Sequence, residues 1–312
     1  MGSTNGGGRG PVAVLGIDIG GSAVKAGRID SSGKELDAHR RGRSGVESFD
    51  ALVDSIGELA REMGPFELVG VGVPGLLDEA AGAIEKSPNL PWIDGRPLRR
   101  AIAERLGLSE DRVHVENDAN AAALGESWLG AGRDRADLFV VTLGTGIGGG
   151  IVLGDRLWRG RGMAGEIGHT KVHDTGPVCG CGRVGCLETF ASATAARRRA
   201  EEAGLPRHAP GDVEALTAAA ERGPGAERDL LEAIGVDLGR GVGIAVDLLD
   251  IRTFVFGGGF SAALELMEPG VRRGIDQASY GGRVEEIELR RAVLDNAAGW
   301  IGAARAAMLE RT

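Results

Sequence analysis

The apolar positions of the chain fall into runs of two kinds, short and nearly continuous or spaced at three and four. Val12 to Ile19 is a short run that ends in Gly20-Gly21-Ser22, and Val24 to Ile29 follows it, which predicts a hairpin with glycine at its tip. From Ser48 to Met63 the apolar residues Phe49, Leu52, Val53, Ile56, Leu59 and Ala60 recur with helical period. Leu68 to Val73 reads as a buried strand running into Pro74-Gly75, and Pro97 to Leu106 as a helix with proline in its first turn. Val113 to Glu116 is a short strand with the helix Ala119 to Leu129 behind it. The cycle then restarts: strand Leu138 to Leu143, turn Gly144-Thr145-Gly146, strand Gly150 to Leu153. Helical runs follow from Leu187 to Ala203, Val213 to Arg222 and Ala226 to Leu249. Strand Thr253 to Phe256 stops at Gly257-Gly258-Gly259 ahead of another helix, and Ala298 to Glu310 is helical. Strands alternating with helices, and two hairpins of one form, predict an α/β protein of two similar halves made by internal duplication.

Composition narrows this picture. With 312 residues, 42% hydrophobic and 26% charged, the chain has material for about two domains and is neither disordered nor fibrous. Its 54 glycines are the anomaly, since average usage is about 7%. Those at hairpin tips and strand ends are expected where backbone must come close to a ligand. Residues 1–11, with Ser3, Thr4, Asn5 and Gly6-Gly7-Gly8, read as a flexible leader without an apolar signal segment, so a cytoplasmic protein is expected. The longest uncharged stretch, Leu138 to Gly154, is too short and too rich in glycine for a membrane span, so no membrane partner is expected. A net charge of −9 argues against nucleic acid as a partner, and Arg197-Arg198-Arg199 is expected on a solvated helix face. Trp92, Trp128, Trp158 and Trp300 are dispersed and read as packing residues.

The chemistry is concentrated in a few segments. Gly144-x-Gly146-x-x-Gly149 has the dinucleotide spacing but runs on into a strand instead of opening a helix. Gly16-x4-Gly21 has the glycines of a phosphate loop, with Ser22-Ala23 where lysine and a hydroxyl residue belong. Two glycine hairpin tips, with Asp18 just ahead of the first, instead suit a phosphate clamp with Mg²⁺ held through one carboxylate. Glu116-Asn117-Asp118 lies at a strand–helix junction, where Asp118 either caps the helix or accepts a proton in phosphoryl transfer. Cys179, Cys181 and Cys186 are three thiols in eight residues, a metal site in which His169 or His173 supplies the fourth ligand of tetrahedral zinc. Asn89, between Pro88 and Pro91, reads as a turn residue.

These motifs, Leu15-Gly-Ile-Asp-Ile-Gly-Gly-Ser-x-x-Lys-x-Gly27, Val140-Val-Thr-Leu-Gly-Thr-Gly-Ile-Gly-Gly-Gly150, Gly165-Glu-Ile-Gly-His169 and Cys179-Gly-Cys-Gly-x-x-Gly-Cys-Leu-Glu188, resemble the ROK family of repressors, open reading frames and sugar kinases. The similarity runs from about Val12 to the end, with Ser22 standing where the family has threonine. The resemblance implies an α/β, two-lobed actin/hexokinase-like (duplicated ribonuclease H-like) fold. Its N-terminal lobe would span 12–118, joined by a C-terminal helix at about 295–312, and its C-terminal lobe 119–294 would carry a zinc loop. It implies an ATP-dependent hexose kinase, most like a bacterial glucokinase, with Asp118 as base and the lobes closing on ATP and hexose. Gly75, Asn89, Asn117, Asp118, Glu166, His169 and Glu188 would bind the sugar. Asp18, Gly20, Gly21, Ser22, Lys25, Gly144, Thr145 and Gly146 would bind phosphate with Mg²⁺, and Gly257, Gly258 and Gly259 the adenosine side. His169, Cys179, Cys181 and Cys186 would hold a structural zinc, and dimers are common in the family. Mannose, fructose, N-acetylglucosamine and N-acetylmannosamine are alternative acceptors. A sugar-sensing regulator is the rival reading, against which the first hairpin leaves no room for a helix-turn-helix ahead of it. A polyphosphate donor is disfavoured by the cysteine block.

Overall fold

The computed structural model describes residues 12–20, 23–41, 47–78, 81–87, 89–205, 213–281 and 283–311. The leader and the tip residues Gly21 and Ser22 lie outside the described residues. Contacts divide the chain into two compact units, Met1–Ala121 with Gly299–Thr312, and Ala122–Ala298.

The first unit is built on β1 (Ala13–Ile19), β2 (Val24–Asp30), β3 (Glu35–Arg41), α1 (Phe49–Glu62) and β4 (Leu68–Val73). A small hairpin, β5 (Leu76–Asp78) and β6 (Ala83–Lys86), comes next, then α2 (Leu98–Leu106), β7 (Val113–Asn117) and α3 (Asp118–Trp128). The main sheet has the order β3-β2-β1-β4-β7. β1, β2 and β3 form an antiparallel meander, and β4 and β7 run parallel to β1. Ser48 starts α1 by accepting from the Ala51 amide at 3.2 Å, which satisfies one of the free N–H groups of the first turn. The apolar stripe of α1 and α2 then buries Leu52, Ile56, Leu98 and Ile102 against Ile17, Val69, Val71 and Val115 of the sheet. A side chain of this kind contributes about 1.5–3 kcal/mol when fully buried.

The second unit repeats the plan. β8 (Leu138–Leu143), β9 (Ile147–Leu153), β10 (Arg156–Leu157), β11 (Thr253–Gly257) and β12 (Glu288–Arg291) form a sheet of order β10-β9-β8-β11-β12. An antiparallel meander again leads to two parallel strands. Its helices are α4 (Glu188–Ala191), α5 (Ala193–Glu202), α6 (Val213–Glu221), α7 (Ala226–Leu249) and α8 (Leu264–Ala278). The single helix expected from Leu187 to Ala203 breaks at Ser192, whose Oγ accepts from the Ala195 amide at 3.1 Å and so caps a new helix. α7 and α8 meet backbone to backbone. A Cβ on Gly239 would stand 2.1 Å from the Val271 carbonyl oxygen, and one on Gly274 the same distance from that of Val236. Part of the glycine excess therefore serves helix packing and has no ligand to approach.

α9 (Ala298–Leu309) closes the other face of the first sheet. Strand side chains alternate between faces, so Gly16, Gly70 and Gly72 all point to this helix while Ile17, Val69 and Val71 point to α1 and α2. The helix lies so close that a Cβ on Gly70 would sit 1.8 Å from the Ala303 carbonyl oxygen. Trp300, wholly buried, lays its ring over Gly27. Trp158, by contrast, is 44% exposed and is not a packing residue. No helix among the described residues is long and apolar enough to cross a membrane.

Candidate active site

In the first unit the predicted residues gather at one end of the parallel strands. Asp18 pairs in register with Gly72, Gly72 with Glu116, and Val73 with Asn117, so β1, β4 and β7 end side by side. Ligands of open α/β sheets bind at the carboxyl ends of such strands. Asp18 is on the face of Gly16, which directs it to the start of α9, and a Cβ on Gly299 would stand 2.7 Å from its Cγ. Lys25 Nζ lies 3.7 Å from Asp18 Oδ2 across the β1–β2 hairpin. Gly20 tightens that hairpin by donating its amide to the Ala23 carbonyl at 2.8 Å.

Asn117 rather than Asp118 makes the main cap of α3. Its Oδ1 accepts from the amides of Ala119 at 2.9 Å and Asn120 at 3.1 Å, while its Nδ2 donates to the Gly75 carbonyl at 3.0 Å. Asp118 Oδ1 also accepts from the Ala119 amide at 2.9 Å. Gly75 has φ +130°, a conformation that side-chain-bearing residues avoid, and a Cβ there would meet the Lys86 carbonyl oxygen at 2.5 Å. This contact ties Gly75 to the segment that carries Asn89. Asn89 is exposed on a turn held by Ser87, whose amide donates to Asp94 Oδ1 at 2.7 Å and whose Oγ accepts from Leu90 at 3.2 Å. Glu116, absent from the sequence-based site, is buried behind the turn and accepts from Asn120 Nδ2 and from the Asn117 amide, each at 3.0 Å.

In the second unit, β8 and β11 are parallel neighbours with Thr142 opposite Gly257. The tip Gly144-Thr145-Gly146 and the turn Gly257-Gly258-Gly259 therefore share one end of the sheet. Gly258 has φ +82°, and a Cβ on it would reach the Leu143 carbonyl oxygen at 2.3 Å, so the two glycine turns touch. Thr145, Gly258 and Gly259 are exposed.

The Gly165–His169 segment and Glu188 pack on the same hairpin. A Cβ on Gly168 would stand 2.1 Å from the Ile147 carbonyl oxygen, and Glu188 Oε2 accepts from the Ile147 amide at 3.1 Å. His169 divides its ring nitrogens: Nδ1 lies 3.4 Å from Cys179 Sγ, and Nε2 is 4.0 Å from Glu166 Oε2. Burial holds the Glu166 carboxyl above its usual range, with Glu188 reinforcing the shift and His169 opposing it.

Nδ1 or Nε2 of His169 and the sulfurs of Cys179, Cys181 and Cys186 all lie within 4.8 Å of one another, with Cys181 and Cys186 Sγ 3.6 Å apart. Tetrahedral zinc, with bonds of about 2.3 Å to sulfur and 2.0–2.1 Å to nitrogen, sets its ligands roughly 3.5–3.8 Å apart, so the four residues fit the ion. Burial pushes the metal-free Cys179 thiol up to about 12 and raises Cys186, whereas the Arg183 amide lowers Cys181. Zinc binding would therefore release protons.

His173, the other histidine candidate, is engaged elsewhere. Its Nε2 is 2.7 Å from Asp237 Oδ1, and its ring stands over Phe190 with centroids 4.2 Å apart. Arg199, expected in solvent, pairs with Asp237 Oδ2 at 2.7 Å, and Arg198 donates to the Thr189 carbonyl at 2.8 Å; Arg197 alone of the three is exposed. A cavity of about 680 Å³ opens beside them. Each of its four guanidiniums, Arg198, Arg199, Arg240 and Arg273, already has a carboxylate partner, which leaves the cavity without a free charge to recruit an anion.

Comparisons with known proteins agree with the motifs. The sequence profile of the ROK family matches residues 14–309. The glucokinase of Thermotoga maritima is 34% identical over 308 residues, 93% of this chain and 96% of the relative. The ROK hexokinase of Thermus thermophilus superposes with a TM-score of 0.81 at 34% identity, over 96% of this chain and 99% of the other. A ROK family glucokinase from Streptomyces griseus, solved with glucose and AMPPNP, gives 0.79 at 33% identity, over 95% and 99%.

Proposed function

The chain belongs to the ROK family, has its duplicated actin/hexokinase-like fold and is a sugar phosphotransferase, and we propose that it moves the γ-phosphate of ATP to the 6-hydroxyl of glucose with Asp118 as the base. The observation that carries this reading is the strand end where Asn117, tied to Gly75, caps α3 and mounts Asp118 on it. A carboxylate on a capped helix start is rigid, and phosphoryl transfer to a hydroxyl needs one carboxylate placed to accept the departing proton.

The remaining roles follow from chemistry. Asn117 spends Oδ1 on the helix and one Nδ2 proton on Gly75, which keeps its second amide proton for a sugar hydroxyl. Glu166, Glu188 and the Nε2 of His169 would take the hydroxyls remote from the reacting one, and Asn89 and Gly75 would complete that contact. Half-buried carboxylates of this kind disfavour a sugar that lacks the hydroxyl, because they would be left without that partner. Gly144, Thr145 and Gly146, together with Gly20, Gly21 and Ser22, would receive phosphate, and the turn Gly257–Gly259 the adenosine. Mg²⁺, when bound, neutralises charge on the transferring phosphoryl group; Asp18, a hard oxygen ligand only partly buried beside Lys25, suits it. Zinc on His169 and the three thiols would have no open position, so it would hold the loop between Glu166 and Glu188 and take no part in the chemistry. As a user of ATP the enzyme is assigned to the cytoplasm.

A coupled ADP-release assay over glucose, mannose, fructose, N-acetylglucosamine and N-acetylmannosamine tests the substrate. Glucose is expected to give the highest kcat/KM. A higher value for one of the others would transfer the assignment to that sugar.

A further inference from the structure

Glu188 touches more than a sugar hydroxyl would require. Its Oε2 accepts from the backbone amide of Ile147, the residue that closes the glycine tip of the β8–β9 hairpin. The same oxygen occupies the space beside Gly146, where a Cβ would stand 2.2 Å away. Gly144, two residues earlier on the tip, has nothing within 4 Å of its Cβ position. Neither glycine has the positive φ that would by itself require glycine. The two positions thus differ in their relation to Glu188, which crowds Gly146 and leaves Gly144 open.

We infer that Glu188 links the sugar subsite to the phosphate-binding tip: it sets the hairpin through Ile147, and Gly146 is glycine so that this carboxylate keeps its place. The inference rests on the reading of Glu188 as a sugar ligand and of the tip as a phosphate ligand. Glu188 then acts as a positioning residue for the nucleotide as well as a contact for the sugar. A ligand that fixes the carboxylate also fixes the tip, so each substrate favours the site that the other needs.

Calorimetry tests this with one ligand present at a time: glucose without nucleotide, and AMPPNP without sugar. Gly144→Ala is expected to weaken AMPPNP about tenfold and leave glucose within about twofold, as a phosphate contact alone requires. Gly146→Ala is expected to weaken both about tenfold, because its methyl must displace Glu188. Glu188→Ala should likewise weaken both. Glu188→Gln should weaken glucose alone, since its carbonyl oxygen still accepts from Ile147. Glucose binding by Gly146→Ala equal to wild type, or AMPPNP binding by Glu188→Ala equal to wild type, would overturn the link. If the wild type binds no glucose, the substrate assignment fails, and the AMPPNP arm still decides whether Glu188 sets the tip.

Discussion

Asn117 Nδ2 donates to the carbonyl of Gly75 at 3.0 Å, joining the turns that follow two neighbouring parallel strands. One side chain thereby fixes the strand end, caps the helix and sets the backbone of a glycine with φ +130°. Removing it with Asn117→Ala is expected to cost about 1–2 kcal/mol of stability, the usual size of a lost helix cap. Asn117→Asp keeps the acceptor and loses the donor, so its stability loss should be smaller while the sugar KM rises. Urea unfolding and steady-state kinetics on the two variants separate these effects.

Asp118→Asn keeps the size of the side chain and its bond to the Ala119 amide, and removes the ability to accept the proton. Its kcat is expected to fall by about 10²–10⁴ with little change in glucose affinity. A kcat within threefold of wild type, read by ADP release, would remove Asp118 from its role.

Metal analysis of protein prepared without chelator is expected to give about one zinc per chain. His169→Gln should lose it, and chelation should lower the unfolding temperature by more than about 5 °C. His173→Gln should keep its zinc, since that histidine is held by Asp237. Loss of metal from both variants alike would contradict the assignment of the fourth ligand.

Asp134 and Glu288 share two arginines: Arg290 Nη1 is 2.6 Å from Asp134 Oδ1, and Arg135 Nη2 is 2.8 Å from Glu288 Oε1. The Arg290 hydrogen bond lowers the Asp134 carboxyl below its ordinary range, and the Arg135 hydrogen bond lowers that of Glu288. A carboxylate whose folded pKa is depressed stabilises the fold above its unfolded pKa and loses that contribution as pH falls through the folded one. The gap in urea midpoint between wild type and Glu288→Gln is therefore expected to be wider at about pH 6 than at about pH 3. High salt should also narrow it, because these charges are partly exposed to solvent.

Gly70→Ala places a methyl 1.8 Å from the Ala303 carbonyl oxygen, an atom that cannot move without the helix. A cost of about 3 kcal/mol or more is expected, at the upper end for overpacking. Gly95→Ala meets nothing within 4 Å, although its φ of +67° adds backbone strain, so it should cost less. Chemical denaturation of the pair measures the difference.

What the sequence reveals of this fold is what burial writes into it. The two glycine-tipped hairpins, the stripe of α1 behind Ser48 and the long apolar period of α7 are legible because each presents a face to a core. β3 and β12 are not, because both are edge strands with polar residues and no doubly buried pattern. The helix break at Ser192 is a local cap that competes with an otherwise helical stretch. Spacing alone leaves His169 and His173 equivalent, and the difference comes from Asp237, which is 64 residues from His173. Glu188 meets the amide of a residue 41 positions away, and a bond to backbone leaves no trace in residue type except the glycine beside it.

The packing of α9 has a consequence for how the protein is made. The helix fills the groove of Gly16, Gly27 and Gly70 in a sheet whose strands all precede residue 118, yet its own residues are 298–309. A ribosome therefore completes that sheet and then synthesises the whole second unit before the helix that covers it exists. For that interval the glycine-lined face stays open in the nascent chain, and the second unit has its complete set of strands and helices first.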